Sequence, residues 1–556
     1  MMAEENKKFK IGLCMAGAIS AGAYTAGVID YLIEALEEWQ KRKDNNTPNT
    51  PSHNVEIPII GGASAGGMTG IIASSAIQDK IEPVRELGDN IMDQIPNNMF
   101  YHSWVDLISD DMIRELLKTN DISKNEVHSA LNAQFLDKVA SRIVQTNNEP
   151  QVIRKYFSNN LKLFVTLSNL EGMEYSVNFR SQSTKLNQYR ITNHGDFACF
   201  KLCKSETEYS NDGWIPLNFK SKLNTDLVRD SALSTGAFPV GLKARELSRE
   251  KKHMNQHEWF KHITETAQNP FKEDPYNTVN IDGGMINNEP FEKVRELLNE
   301  EFSKKEVEEI DDFNKFKSTV LMVDPFPSEP GKFNPSTKLT SIIGSSLNAL
   351  LNQARIKPPT LIDALDSKKA GQHLISPVRY EKKDGLDNSI EGKKAIACGS
   401  LDGFGGFISK EFRIHDYFLG RANCEKFLRD YFTVPINNTN DIFVNGYSNI
   451  NDKTQFISKK NGGLQIIPIF STERNKPYMP KFSNNKEWPS VSKYFIKSYK
   501  KIMKSRVQKI LLNISDFGKK ERVLLWIGAK VLINGKITDS VINKVIDSLK
   551  AHQLLK

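Results

Sequence analysis

Seven residues, Gly61 to Gly67, read Gly-Gly-Ala-Ser-Ala-Gly-Gly and follow directly on the apolar run Ile57 to Ile60. An extended apolar run that meets such a cluster and passes into further small and apolar residues is a strand turning sharply into a helix, with Ser64 at the turn. A serine held there has a strained backbone and an outward-pointing hydroxyl. Only small neighbours fit around it, which accounts for Gly62 and Gly66 two positions to either side. The helix expected near Gly67 to Ile77 aims the positive end of its dipole at that hydroxyl. The same G-x-S-x-G spacing also suits a packing turn or a phosphate cradle, so other segments must decide between these readings.

Ile281 to Pro290 reads Ile-Asp-Gly-Gly-Met-Ile-Asn-Asn-Glu-Pro, after the short extended run Thr278 to Ile281. Asp282 is a candidate base. A carboxylate takes a serine proton only at hydrogen-bond distance, and Gly283 and Gly284 beside it let backbone and substrate approach. Alone, the dipeptide reads as an ordinary Asp-Gly turn. The chain opens with a third segment, a strand from Phe9 to Met15, a loop of small residues and a helix from about Tyr24. Such a loop exposes backbone N–H groups at a helix start, a cradle for a negative oxygen, although helix-on-strand packing calls for the same small residues.

Taken together, the three segments resemble the patatin-like phospholipases, whose motifs follow this order. The resemblance implies that Ser64 is the nucleophile, Asp282 its sole partner in a Ser-Asp dyad, and the amides of Gly17, Ala18 and Ile19 the oxyanion donors. It implies a three-layer α/β/α sandwich with a mostly parallel central sheet, lipid esters as substrates, and no metal or cofactor. Ser231 to Leu242 looks like the family's small-residue segment ahead of the aspartate, and the stretch from Leu163 like its central strand hairpin. The family loop usually reads G-G-G-x-R/K-G. Here Gly17 and Gly22 keep their places, two glycines become Ala18 and Ile19, and the basic residue becomes Ala21.

The chain has 556 residues, more than one ordinary domain, so a catalytic domain over 1–330 and a mainly helical extension over 331–556 are expected. The catalytic part should close with the buried-looking strand Ser318 to Pro327. Between about Lys80 and Lys155 apolar residues recur at helical spacing, an insertion placed to cover the active site. Within it Phe100, Trp104 and Leu107 share a face that suits core packing better than a lid. In the extension an amphipathic helix is expected from about His415, in a stretch that looks similar in bacterial patatin-like proteins. Its Arg413, His415, Asp416 and Arg421 read more readily as a solvated or salt-bridged face than as part of the site.

Five scattered cysteines suit reduced thiols and form no complete metal-ligand set, so a cytoplasmic location is expected. The uncharged stretch Ile11 to Ile29 is too rich in Gly and Ala for a membrane span. Net charge is +8, and Lys493 to Lys509 reads as a basic amphipathic helix able to rest on the inner face of a membrane or to pack on the core. No nucleic-acid module is present, and the sequence leaves the oligomeric state open. Two alternatives stay in play. One is a Ser-His-Asp hydrolase with His373 or His415 as base; the other is a catalytically silent, membrane-associated scaffold of the same fold.

Overall fold

The computed structural model describes residues 8–88, 91–145, 152–178, 188–204, 211–266, 271, 273–301, 312–327, 342, 345, 349, 370–383, 386–470, 478–514 and 536–556. The expected domain boundary at 330 lies outside these residues. Among the described residues nine strands form the main sheet: β1 (Lys8–Met15), β2 (Asn54–Gly62), β3 (Phe157–Asn178), β4 (Gln188–Leu202), β5 (Ile215–Leu217), β6 (Arg245–Arg249), β7 (Tyr276–Asp282), β8 (Ser318–Val323) and β9 (Gln372–Ile375). The helices that position the site are α1 (Gly22–Asp44), α2 (Ser64–Ala76), α3 (Gln134–Ile143), α4 (Thr225–Thr235), α5 (Phe291–Glu300), α6 (Lys410–Asp430) and α7 (Lys500–Asn513).

Strand alternation sets the layers. Along β1, Phe9, Ile11, Leu13 and Met15 enter one apolar cluster with α1 and α2, while Cys14 enters a second with α5. β8 repeats the division, with Leu321 and Val323 on the first face and Val320 and Met322 on the second. Glycines let α5 sit close on the second face: a Cβ on Gly12 would lie 2.5 Å from Val294. The outcome is the expected α/β/α sandwich. Strands β3, β2, β1, β8 and β9 lie side by side in parallel, so the sheet draws its last strand from residues 372–375, beyond residue 330.

Register brings Ser64 and Asp282 together. Along one edge β3 pairs continuously with β4 through Ser168. Along the other it pairs with β2 as far as Val165, opposite Gly62, and then from Leu167 with the antiparallel β7, where Leu167 faces Asp282. β2 and β7 therefore meet end to end on one edge of β3, and the residues that leave their ends converge. The stretch from Leu163, expected as a strand hairpin, is instead as far as Asn178 part of a single long strand with a register shift after Ser168. Its hairpin partner is β4.

The C-terminal region packs on the first helix. α6 crosses α1 at close range, because a Cβ on Gly27 would lie 1.9 Å from the Tyr417 carbonyl and one on Gly420 2.1 Å from that of Tyr24. Expected as a solvated or salt-bridged face, α6 is not solvated but buried on nearly every side, including Arg413, His415, Asp416 and Arg421. The Asp416 carboxylate accepts from the Ala397 and Cys398 amides, both at 2.8 Å. Arg421 pairs with Asp30 and Glu34 of α1.

The segment Lys493 to Lys509 also differs from a single amphipathic surface helix. It breaks after Lys497, and Phe495, Ile502 and Met503 pack on the protein core. Tyr499 is buried and donates its hydroxyl to Asp111 at 2.9 Å; Arg506 is buried against Asp121. The apolar face is thus covered by the protein, with Lys493, Lys497 and Lys501 left exposed. No helix among the described residues is long and apolar enough to cross a membrane. All five cysteines are buried and none forms a disulfide.

Two buried histidines give the fold an acid-sensitive side. His53, wedged against Trp39 and Tyr447, donates from Nε2 to the Ile466 carbonyl, and His257 accepts the Trp259 amide at Nδ1. Burial pulls each down to about 4. The unfolded chain, titrating near 6.5, binds more protons between those values, so stability is full above about pH 6.5 and falls as pH drops toward 4. Each histidine contributes on the order of 3 kcal/mol to this loss. Chemical unfolding across this range checks it, and a flat profile from pH 6.5 to 4.5 contradicts it.

Candidate active site

Ser64 follows β2 through Ala63 and opens α2, earlier than the expected Gly67, with φ of +49°. A serine rarely adopts this value, and it marks a strained elbow. The turn tolerates no side chains nearby: a Cβ on Gly62 would lie 2.6 Å from Gly66, and one on Gly66 2.2 Å from the Met15 carbonyl. The Ser64 amide donates to Thr235 Oγ1 at 2.9 Å, fixing the elbow to the end of α4. Its hydroxyl donates to Asp282 Oδ2 at 2.6 Å, a charge-assisted geometry. Both residues are buried, at 6% and 5% exposure, and both line one cavity.

Asp282 is held from three directions. Its Oδ1 accepts the Gly284 amide at 2.7 Å, its own amide donates to the Ala237 carbonyl at 2.9 Å, and its carbonyl accepts from Ser168 Oγ at 2.9 Å. A Cβ on Gly283 would lie 2.0 Å from the Thr166 carbonyl, so the turn after β7 can run close against β3. Sequence reasoning missed the supporting roles of Thr235, Ser168 and Asn288. The small-residue segment Ser231 to Leu242 contained the signal for the first, since one of its hydroxyls caps the elbow and one of its carbonyls anchors the aspartate.

The N-terminal loop lies against the serine. A Cβ on Gly17 would sit 3.0 Å from Ser64 Cβ. Of the three amides expected as donors, that of Gly17 is committed to the Asn288 carbonyl at 3.2 Å. Among the described residues the Ala18 and Ile19 amides bond no protein acceptor, and neither does the Ala65 amide at the start of α2. Ile19 has φ of +50° and opens a single 3-10 turn, Ile19–Ala21, that leads into α1 at Gly22. Ala21 is fully buried, and Gly22 packs under the Trp104 ring.

Apolar side chains make up most of the rest of the cavity wall, with Ser20, Ser103 and Arg413 set among them. Met68 and Ile72 come from α2, Phe135 and Val139 from α3, and Phe404 and Phe407 from the C-terminal region. Trp104 and Leu107 also line it, whereas Phe100 is core, so the expected face is divided between the two. The insertion covers the site as expected. Arg413 is the one member of the α6 polar group that reaches this wall. Its guanidinium donates to the carbonyls of Val105, Gly406 and Ser109 at 2.8, 2.7 and 2.9 Å, and burial brings its pKa down to about 10.

Among the described residues no histidine lines the cavity. His373 bonds Thr319 Oγ1 at 2.8 Å and packs on Phe427 and Phe432, while His415 is buried beside Asp416 under the Trp488 ring. Burial holds His373 near 4. The geometry therefore does not support either histidine as the base for Ser64.

Residues 13–295, just over half of the chain, match the sequence family described as patatin-like phospholipase. The chain belongs to the patatin-like phospholipase family. It is also 30% identical over 470 residues to y4iI, an uncharacterised protein of Sinorhizobium fredii, with 77% of this chain and 65% of the relative covered. The chain thus spans just under two thirds of that relative's length. For this patatin-like protein the match ends before β8, and the C-terminal wall of the cavity lies outside it.

Proposed function

We propose that this protein hydrolyses carboxylic esters of lipids, with Ser64 as nucleophile and Asp282 as general base. The observation that carries the reading is the 2.6 Å hydrogen bond from Ser64 Oγ to Asp282 Oδ2 in a largely apolar cavity. As Oγ attacks the ester carbonyl, its proton passes to Oδ2 and the carbonyl oxygen becomes negative. The Ala18, Ile19 and Ala65 amides are the donors available to that oxygen. Collapse expels the alcohol, which takes the proton from Asp282, and leaves an acyl-Ser64. Water then attacks the acyl-enzyme with Asp282 as base and releases the fatty acid. The apolar walls suit an acyl chain, and the exposed Lys493, Lys497 and Lys501 suit an anionic lipid surface.

A fluorophosphonate probe reacts with an activated serine and ignores a passive one. Wild type should be labelled and should release fatty acid from phospholipid vesicles, faster from anionic than from neutral ones, and Ser64→Ala should do neither. A folded wild type that is neither labelled nor active would favour the silent scaffold.

A further inference from the structure

We propose that Ser20 is a positioning residue for the oxyanion loop, clasped by the C-terminal segment Gly403 to Gly406 so that the Ile19 amide stays aimed at the reacting carbonyl. The inference rests on the dyad reading above and adds a role for residues outside the family match. Ser20 Oγ donates to the Gly403 carbonyl and accepts the Gly406 amide at 3.0 Å, so the hydroxyl is engaged on both sides by backbone nearly four hundred residues away. The contact is close-packed: a Cβ on Gly406 would lie 2.7 Å from Ser20 Oγ, and one on Gly403 3.3 Å from Ile19 Cβ.

The reason for a clasp lies in the neighbouring residue. Ile19, a β-branched side chain, sits at φ of +50°, a conformation glycine adopts freely and isoleucine resists. The family loop usually carries glycine here. Without that freedom the turn persists only if its surroundings hold it, and Ser20 is the point at which they do. The segment that grips Ser20 is itself fixed. Leu401, Asp402 and Gly403 all have positive φ, and the Gly406 carbonyl is tied by Arg413 to those of Val105 and Ser109. Phe404 of this segment and Phe407 just after it wall the cavity. The clasp thus links the C-terminal region to the backbone that faces the substrate.

The test uses the full chain and p-nitrophenyl butyrate. Ser20→Ala should lower kcat by about 10- to 100-fold with KM within about threefold, because the donor is misplaced while the cavity and dyad remain. Ile19→Gly added to Ser20→Ala should restore much of the lost kcat, since glycine needs no clasp; a purely structural defect would not be rescued this way. Inhibition by an alkyl trifluoromethyl ketone, whose serine adduct bears the same oxyanion, should weaken in parallel with kcat. Gly403→Ala, which strains the grip itself at a φ of +101° and brings a methyl group to 3.1 Å from Phe326 and 3.3 Å from Ile19, is the second variant should Ser20→Ala fail to fold, and should show the same kcat-selective loss. Unchanged kcat in a folded variant, or a loss shared equally by KM and not rescued by Ile19→Gly, overturns the inference. Activity surviving in Ser64→Ala would instead overturn the dyad reading.

Discussion

Ser64→Ala and Asp282→Asn should each reduce ester hydrolysis by on the order of a thousandfold or more, and the double variant should be little slower than either single one. The two side chains act in one proton transfer, so removing the second after the first removes nothing further. Asp282→Asn is the sharper change. Its amide oxygen can still accept from the Gly284 amide, as Oδ1 does at 2.7 Å, and its NH2 can still meet Ser64, so shape is kept while the base is lost. Hydrolysis rates on p-nitrophenyl butyrate, with thermal unfolding matched to wild type, decide the outcome. An Asp282→Asn enzyme within tenfold of wild type would remove the aspartate from the mechanism.

The largest expected loss of stability is at the join between α1 and the C-terminal region. Arg421 is buried and pairs with both Asp30 and Glu34, and Asp30 also accepts from Asn98 Nδ2 at 2.7 Å. Burial raises the Asp30 carboxyl even with Arg421 beside it. Burial would raise Glu34 as well, but Arg421 and Arg85 outweigh it and hold that carboxyl low. Arg421→Met leaves two carboxylates without their shared cation and should cost about 3–5 kcal/mol, the usual penalty for breaking a buried ion pair from one side. Adding Asp30→Asn and Glu34→Gln should recover much of that loss, because the uncompensated charges go with their partner. Urea unfolding at pH 7 measures both. A single-variant loss below about 1 kcal/mol would show that solvent reaches the cluster.

The elbow was legible in the chain because it rests on local geometry, whereas the role of Asp282 and the layer order came with the family resemblance. Small residues around Ser64 follow from the close approach of Gly62 to Gly66 and of Gly66 to Met15, contacts set within one strand-turn-helix unit and its neighbouring strand. Alternation along β1 and β8 follows from the two-residue period of a strand, and composition along those runs marks both faces as buried. The extended run Thr278 to Ile281, which lies within β7, was readable for similar reasons.

Tertiary structure decided what depends on partners distant in sequence. Ser64 and Asp282 are 218 residues apart, and their meeting depends on β2 and β7 sharing one edge of β3. Gly17 looked like an oxyanion donor until the Asn288 carbonyl proved to hold its amide. The polar residues of α6 read as a solvated or salt-bridged face, and the apolar side of Lys493 to Lys509 suited either a membrane or the core; α1 pairs with Arg421 of the first and the protein core takes the second. An amphipathic pattern records that a face needs an apolar partner, not which one, and a backbone N–H carries no side-chain mark of the acceptor it will find. The sequence by itself thus determined the local turn that presents Ser64 and the faces that must be buried. Long-range strand pairing and helix packing determined which carboxylate, amides and apolar walls surround it, because those contacts form only once distant segments share one core.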